Sequence, residues 1–418
     1  MSPSRYQAVL RAPGVGWLMT TSLLARLPVA MANLAIILRV AGGTGSYARA
    51  GAVTAAYVVG TGVMGPVLGR LADRVGKAPV LLVAGVFNAA GLVTMALIPL
   101  DDLVVLLVVA AVAGASLPPV APAVRSLWPT LVSEDLRSSV YAFDATMQEA
   151  TFMVGPTLVA LLSAAWGAQA ALLGCAGIGI AGAIAVVSHP AVRSRTAPRA
   201  RTLPAPAAGA PAAGDASSGG PAERSARPRR RRLQPAGLPG LGSLVVIVLL
   251  FLAAIGIVEV TVVAFAGHHG SRSQAGFLLT VWSTGSMAGG FVFGPRAAHA
   301  AERLLGALMA ASAGGFLLLA AAPGVVVLYG LMFLAGVSIA PGFSAVYGLV
   351  GKLAPSDAAV EAFSWIASGI QMGAASGAAI GGLLVQGIGT RWSFVFAGGC
   401  GLSTAAIAYW RSRNLRPA

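Results

Sequence analysis

Five ionisable residues stand inside long apolar stretches of this 418-residue sequence: Arg26, Asp144, Glu149, Glu259 and Glu361. A charge at the centre of a helix surrounded by hydrocarbon costs about 2.5–3.5 kcal/mol on insertion scales, so each needs a partner or a task. Arg26 lies about halfway along the apolar stretch 14–38, and Glu149 lies about as deep in 138–163. Matching depths predict an Arg26–Glu149 ion pair, which would neutralise both charges or lock the N-terminal half. Glu259, in Gly256-Ile257-Val258-Glu259-Val260, has no second acid in its stretch. A lone carboxyl in such a place can carry a proton, hold a cationic substrate or make a structural hydrogen bond. Glu259, Glu149 and Arg26 are therefore the candidate proton-coupling residues. Asp144 and Glu361 lie nearer the ends of their stretches, at near-equivalent repeat positions, and suit a cytoplasmic gate.

Polar and aromatic residues at helical spacing extend this set. Asn33 follows Arg26 by seven residues and so shares its face. Gln148 and Thr151 follow Asp144 by helical steps, and Trp365, Ser368 and Met372 follow Glu361. With Trp282, the residues Asn33, Gln148, Trp365 and Met372 make a candidate substrate cavity, although each could equally serve as packing between helices.

These residues need spans to position them. The chain is 57% hydrophobic and only 10% charged, with a mean hydropathy of +0.81. Soluble proteins carry about 25% charged residues, so lipid is the solvent for most of this chain. Each crossing needs about 20 apolar residues. Twelve are predicted, near 14–38, 47–69, 79–99, 103–125, 138–163, 168–188, 242–266, 274–295, 302–322, 325–350, 358–388 and 391–411. Helices are expected, because a lipid-exposed backbone must satisfy its own hydrogen bonds and no ten-residue alternation suggests a barrel.

The net charge of +15 does not point to nucleic acid, because the basic residues sit in short loops and in one linker. With the N-terminus inside, 23 of the 28 Lys and Arg residues are cytoplasmic and 4 lie outside, which is the positive-inside pattern. Both termini of a multi-pass protein of the cell membrane, the inner membrane of a bacterium, are then cytoplasmic. Arg5 and Arg11, followed by an apolar run and Ala30-Met31-Ala32, imitate a secretory leader. Arg26 interrupts that run and it continues to Leu38, so an uncleaved first helix is expected. Arg outnumbers Lys 26 to 2, and with the Ala and Gly excess this suggests a GC-rich, actinobacterial genome.

Residues 189–240 are rich in Pro, Ala, Gly and Ser, with a basic cluster at Arg229–Arg232. They cannot bury a core and are expected to be a disordered basic cytoplasmic linker. The linker divides the chain into six-span halves, 1–188 and 241–418. The halves echo each other at an offset near 225: Gly60, Gly65 and Gly69 match Gly285, Gly290 and Gly294, and Cys175 matches Cys400. Val140-Tyr141-Ala142-Phe143 matches Val360-Glu361-Ala362-Phe363 at an offset of 220. Such internal symmetry is a mark of transporters built from paired bundles.

Between the second and third spans runs Gly69-Arg70-Leu71-Ala72-Asp73-Arg74-Val75-Gly76-Lys77. The spacing G-x-L-A-D-R-x-G-K resembles the loop at this place in major facilitator superfamily transporters, departing only at the last basic position, Ala78. Together with the two six-span halves, the resemblance covers essentially the whole chain. It implies an all-α integral membrane fold of two pseudo-symmetric six-helix bundles, with a substrate site between them that rocks between two exposures. It also implies that Asp73 docks at the N-terminus of the eleventh helix, near Ser356–Ala359. A helix N-terminus carries about half a positive charge, worth ~0.3–2 kcal/mol to an anion. Arg125, at the end of the fourth span, is expected as a second partner of Asp73, while Gly69 and Gly76 permit close backbone approach. Gly69, Asp73, Arg74, Gly76, Lys77 and Arg125 thus form the expected gate. The second copy, from Gly294-Pro295-Arg296, has Ala298 where the acid would be. Gly155-Pro156 keeps only the middle of the exporters' G-x-x-x-G-P-x-x-G-G motif, with Thr151 and Val159-Ala160 at the other places. The Gly-Pro step should kink the fifth helix.

Other chemistries lack their residues. No G-x-x-x-x-G-K-[ST] phosphate loop or H-E-x-x-H occurs, and no Ser/His/Asp signature is present. His268-His269 share no helical face and read as a solvated loop rather than a metal site. Cys175 and Cys400 lie in apolar runs and read as small core residues. Neither enzymatic activity, a cofactor nor a metal is expected. The predicted function is secondary active transport, namely proton-coupled export of a small, partly apolar organic compound by a monomer. The expected partners are that substrate, protons and the lipid bilayer, without nucleic acid. The alternatives are a metabolite importer or facilitator, and a transporter-like receptor that moves nothing.

Overall fold

The computed structural model describes residues 4–194, 240–268 and 274–414. Most of the expected linker, 195–239, therefore lies outside the described residues, as does His269. The chain forms α1 (Ser4–Arg11), α2 (Val15–Thr44), α3 (Tyr47–Val75), α4 (Lys77–Leu97), α5 (Leu103–Ala115), α6 (Val120–Arg125), α7 (Trp128–Leu131), α8 (Glu134–Trp166), α9 (Ala168–Val187) and α10 (Pro190–Arg193). After the linker come α11 (Leu241–His268), α12 (Gln274–His299), α13 (Ala301–Leu319), α14 (Val325–Gly336), α15 (Ile339–Leu353) and α16 (Ala359–Asn414). Among the described residues there is no strand.

Among the described residues, eleven helical stretches are long and apolar enough to cross a membrane. Their outward faces carry apolar side chains, among them Val63, Leu161 and Leu383, each more than 60% exposed. In water such surfaces would be costly, whereas in hydrocarbon they cost nothing. The turns follow local chemistry. Gly76 alone separates α3 from α4, with a φ of 107° that suits glycine. The Asp102 carboxylate caps α5 by accepting from the backbone N–H groups of Val104 (2.8 Å) and Val105 (3.2 Å).

Four expected spans differ in detail. The fourth is not one helix over 103–125. The Leu117-Pro118-Pro119 step, which lacks two N–H donors, divides it into α5 and α6, and α7 follows beyond Ser126–Leu127. The tenth breaks between α14 and α15, at Val337–Ser338. The eleventh and twelfth appear as one 56-residue helix, α16, with a non-helical Gly389 at φ 81° inside it. Unbroken, it would be about 84 Å long against a hydrocarbon layer of about 30 Å, so the break lets the chain return. The ordered N-terminal part also runs beyond residue 188: α10 follows, with Val192 buried, where the linker was expected to have begun.

The helices form two groups. In the first, α2 packs on α8 and α9, α3 on α5, and α4 on α9. In the second, α16 packs on α11 and α13, and α12 on α14 and α15. The groups meet through α3 against α16 and α8 against α12 and α15. The repeated glycines explain how. Gly65 and Gly69 of α3 lie against Ser368, Ser364 and the backbone of Glu361 on α16, and their repeat equivalents Gly290 and Gly294 of α12 lie against Thr146 and Ala142 on α8. The same small-residue seam is thus used twice.

Candidate substrate chamber and gate

A cavity of about 420 Å³ lies between the two groups. Its lining comes from α2 and α8 of the first group and from α11, α12, α15 and α16 of the second. Apolar and aromatic walls, including Phe152, Trp282, Phe343 and Ile370, surround a few polar groups: Asn33, Gln148, Glu149, Glu259, Ser286, Tyr347 and Gln371. A largely apolar cavity with sparse polar groups is the usual form of a small-molecule site. Glu149 and Glu259 reach it from opposite groups. The Ser286 hydroxyl donates to Glu149 and accepts from the Ala340 backbone N–H at 3.1 Å, so Glu149 is tied to α12 across the seam. More than a third of the Glu259 surface is accessible, and this residue lines the chamber.

The expected Arg26–Glu149 pair is not formed. Arg26 Nη2 lies 2.7 Å from Asp144 Oδ1, and Arg125 Nε donates to Asp144 Oδ2 at 2.6 Å. Both guanidiniums thus share one carboxylate, and Arg125 also donates to Gln148 Oε1. Asp144 is fully buried, and both of its ion-pair partners belong to the first group. Arg125 is equally committed to this cluster and does not bond to Asp73. Its guanidinium carbon sits 3.7 Å from the centre of the Tyr347 ring, so a side chain of the second group, from α15, packs directly on the ion cluster.

The residues expected to form a gate lie at the face that carries the Gly69–Lys77 loop. The Asp73 carboxylate accepts from the backbone N–H groups of Val360 (3.2 Å) and Glu361 (2.8 Å), in the first turn of α16. The docking point is one or two residues beyond the expected Ser356–Ala359. Arg70 donates to Glu361 Oε1 through Nε at 3.0 Å and Nη2 at 2.5 Å. Charge-assisted bonds of this kind are stronger than neutral ones. Gly69 and Gly76 sit at the seam and the turn described above. Arg74 and Lys77 flank Asp73, and neither contributes a side-chain bond across the seam among the interactions described.

Three expected cavity residues, Asn33, Gln148 and Trp282, line the chamber. Trp365 and Met372 do not. Trp365 packs against the buried core, and Met372 lies beside Gly62 of α3. The face of α16 that reaches the chamber carries Ile370, Gln371 and Ala374 instead. Sequence reasoning also missed Arg70, Tyr347, Ser286 and Gln371. Arg70 occupies an unspecified place in the loop motif, and the other three are single polar residues in apolar runs with no spacing to single them out. Among the described residues, no three His, Cys, Asp or Glu side chains cluster as a metal site would require.

Helix composition, apolar exteriors and a central chamber define an all-α membrane transporter fold. The family model of the Major Facilitator Superfamily matches residues 18–266 and 244–418, and the chain belongs to that superfamily. Solved structures agree on the fold. The human organic anion transporter MFSD10 aligns with a TM-score of 0.68 at 16% identity, covering 98% of this chain and 100% of that one. A bacterial homologue of the iron transporter ferroportin, in an outward-facing state, aligns with a TM-score of 0.70 at 13% identity, covering 95% and 99%. The E. coli fucose:proton symporter aligns with a TM-score of 0.69 at 14% identity, covering 96% and 99%. No curated protein matches the sequence.

Proposed function

We propose that this protein is a proton-coupled exporter of a small, partly apolar organic compound, working by alternating access. Twelve spans follow if Gly389 turns the chain between two crossings of α16. The distribution of Lys and Arg supports a cytoplasmic position for both termini, for the Gly69–Lys77 face and for the linker that joins the bundles 1–188 and 241–418. The Asp73 and Glu361 bonds then close the cytoplasmic side, and the chamber belongs to an outward-facing state.

The observation that carries the reading is that Glu149 and Glu259, one from each half, share a single chamber. A carboxyl in such a place exchanges a proton for a cationic group, because the two occupy the same charge site. Protons entering from outside would displace the compound, and return of the empty, protonated carrier would complete an antiport cycle. A family of small-residue seams lets the halves rock without breaking a core. The ferroportin homologue and the fucose symporter are transporters of the same fold, and they support transport rather than a static receptor.

The test is flux in proteoliposomes under an imposed pH gradient, comparing the natural chain with Glu259→Gln. The expected result is gradient-driven flux that Glu259→Gln abolishes or uncouples. Flux that ignores the gradient in both proteins would reject proton coupling.

A further inference from the structure

A second, smaller pocket of about 100 Å³ adjoins the chamber, and the two share Val29, Gln148, Phe152, Ile370 and Gln371 in their walls. Its chemistry is opposite. Among the described residues, its lining contains Arg26 and Arg125 but no acid. The one carboxylate that pairs them, Asp144, is taken by both guanidiniums, so the cluster holds one more positive charge than negative. The donors are incompletely used. Arg26 Nε and the hydroxyls of Thr151, Ser364 and Ser368 have no hydrogen-bond partner within the protein. All four residues line this pocket, and each is at least nine-tenths buried. A buried positive charge beside unpartnered donors is unfavourable unless an anion accepts from them. Thr61 completes the wall, but its hydroxyl already donates to the carbonyls of Tyr57 and Gly114.

We propose that this side pocket is an anion subsite that takes the carboxylate of a zwitterionic substrate, whose ammonium end reaches Glu149 and Glu259. The assignment of the ammonium end rests on the export reading above, whereas the anion subsite rests on the pocket alone. The apolar body of the compound lies between the two ends, against Phe152 and Ile370, which border both cavities. Along α2, Arg26 of the side pocket and Asn33 of the chamber are about 10 Å apart by helical rise, a span that a single aromatic ring with charged ends bridges. Antiport remains consistent, because the proton competes only with the ammonium end.

The test is calorimetric titration of the full chain in lipid nanodiscs, at one pH and without a gradient, using three probes of one shape. They are 4-(aminomethyl)benzoate, 4-methylbenzoate and 4-methylbenzylamine. The zwitterion is expected to bind about tenfold more tightly than either single-charge probe, the change given by one hydrogen bond to a charged group. The near-isosteric variant Thr151→Val with Ser368→Ala should weaken the zwitterion and 4-methylbenzoate about tenfold and leave 4-methylbenzylamine unchanged. Ser364→Ala should do the same alone if the double variant does not fold. The proposal is overturned if the amine binds as tightly as the zwitterion, if 4-methylbenzoate does not bind, or if the variants weaken all three probes alike. Equal competition by chloride at the same concentration also overturns it, making the pocket a halide site. Zwitterion binding that survives without pH-driven flux counts against the export reading alone. Flux that persists without carboxylate binding counts against the pocket alone.

Discussion

Asp144 holds together two charges that the bilayer would otherwise expel. Its Oδ1 faces Arg26 at 2.7 Å and its Oδ2 accepts from Arg125 at 2.6 Å, with all three side chains at most 4% exposed. Removing one partner of a buried ion cluster costs about 3–5 kcal/mol, because the remaining charges lose their counter-ion. Asp144→Asn is therefore expected to lower the melting temperature of the purified protein well below that of Glu149→Gln, whose side chain accepts a neutral hydroxyl bond. Equal melting temperatures would remove the cluster as a stabilising unit. The sequence drew attention to the five intramembrane charges, and depth was the criterion for pairing them. Depth cannot distinguish faces. Asp144 and Glu149 are five residues apart, about 140° around the helix, so Arg26 meets one and not the other. Asp144 and Gln148, four apart, share a face, and both bond to Arg125.

At the scale of helices, glycine decides how near the axes come. A Cβ added at Gly289 of α12 would collide with the backbone carbonyl of Val337, and one at Gly285 would collide with that of Phe333. Val337 lies at the break between α14 and α15, and Phe333 lies one turn before it in α14. Gly289→Ala should force α12 away from that break and cost about 1–3 kcal/mol, the usual range for overpacking. Gly276→Ala, where a Cβ would meet nothing within 4 Å, is the matched control on the same helix and should be neutral. Thermal melting of the two variants in detergent checks the difference, and equal behaviour would mean that the seam has slack. Hydropathy made the helices legible, because 20 apolar residues in a row have few other uses. It left unseen the interruptions inside the fourth and tenth expected spans. Pro118-Pro119 carries a chemical mark that could have been read, while Val337-Ser338 sits in surroundings that look like any other stretch of span. Gly389, by contrast, falls between the expected spans 358–388 and 391–411. Val337 lies against Gly289 of α12, a contact that no window along one helix contains.

Across the whole molecule, the same seam is built twice but closed by charge only once. At the first copy, Asp73 and Arg70 bind the start of α16. At the second, Ala298 is buried and stands where the acid would be, and among the described residues α8 and α12 are joined by packing and the Ser286–Glu149 hydrogen bond with no ion pair. In the proposed alternating-access cycle, release of the α3–α16 contact is the step at which the halves would part on this face. A Cβ at Gly69 would lie 2.9 Å from that of Ser364, and a disulfide needs about 3.5–4.5 Å, so a small shift lets one form. Cys175 and Cys400 are unpaired and would be replaced by Ala in the test protein. In that background, Gly69→Cys with Ser364→Cys should oxidise readily and cut flux to background. Reductant should restore the flux of the same sample, which separates the lock from damage done by the substitutions. If transport continued with the crosslink complete, the halves would have no need to separate here, and the rocking mechanism would fail for this protein.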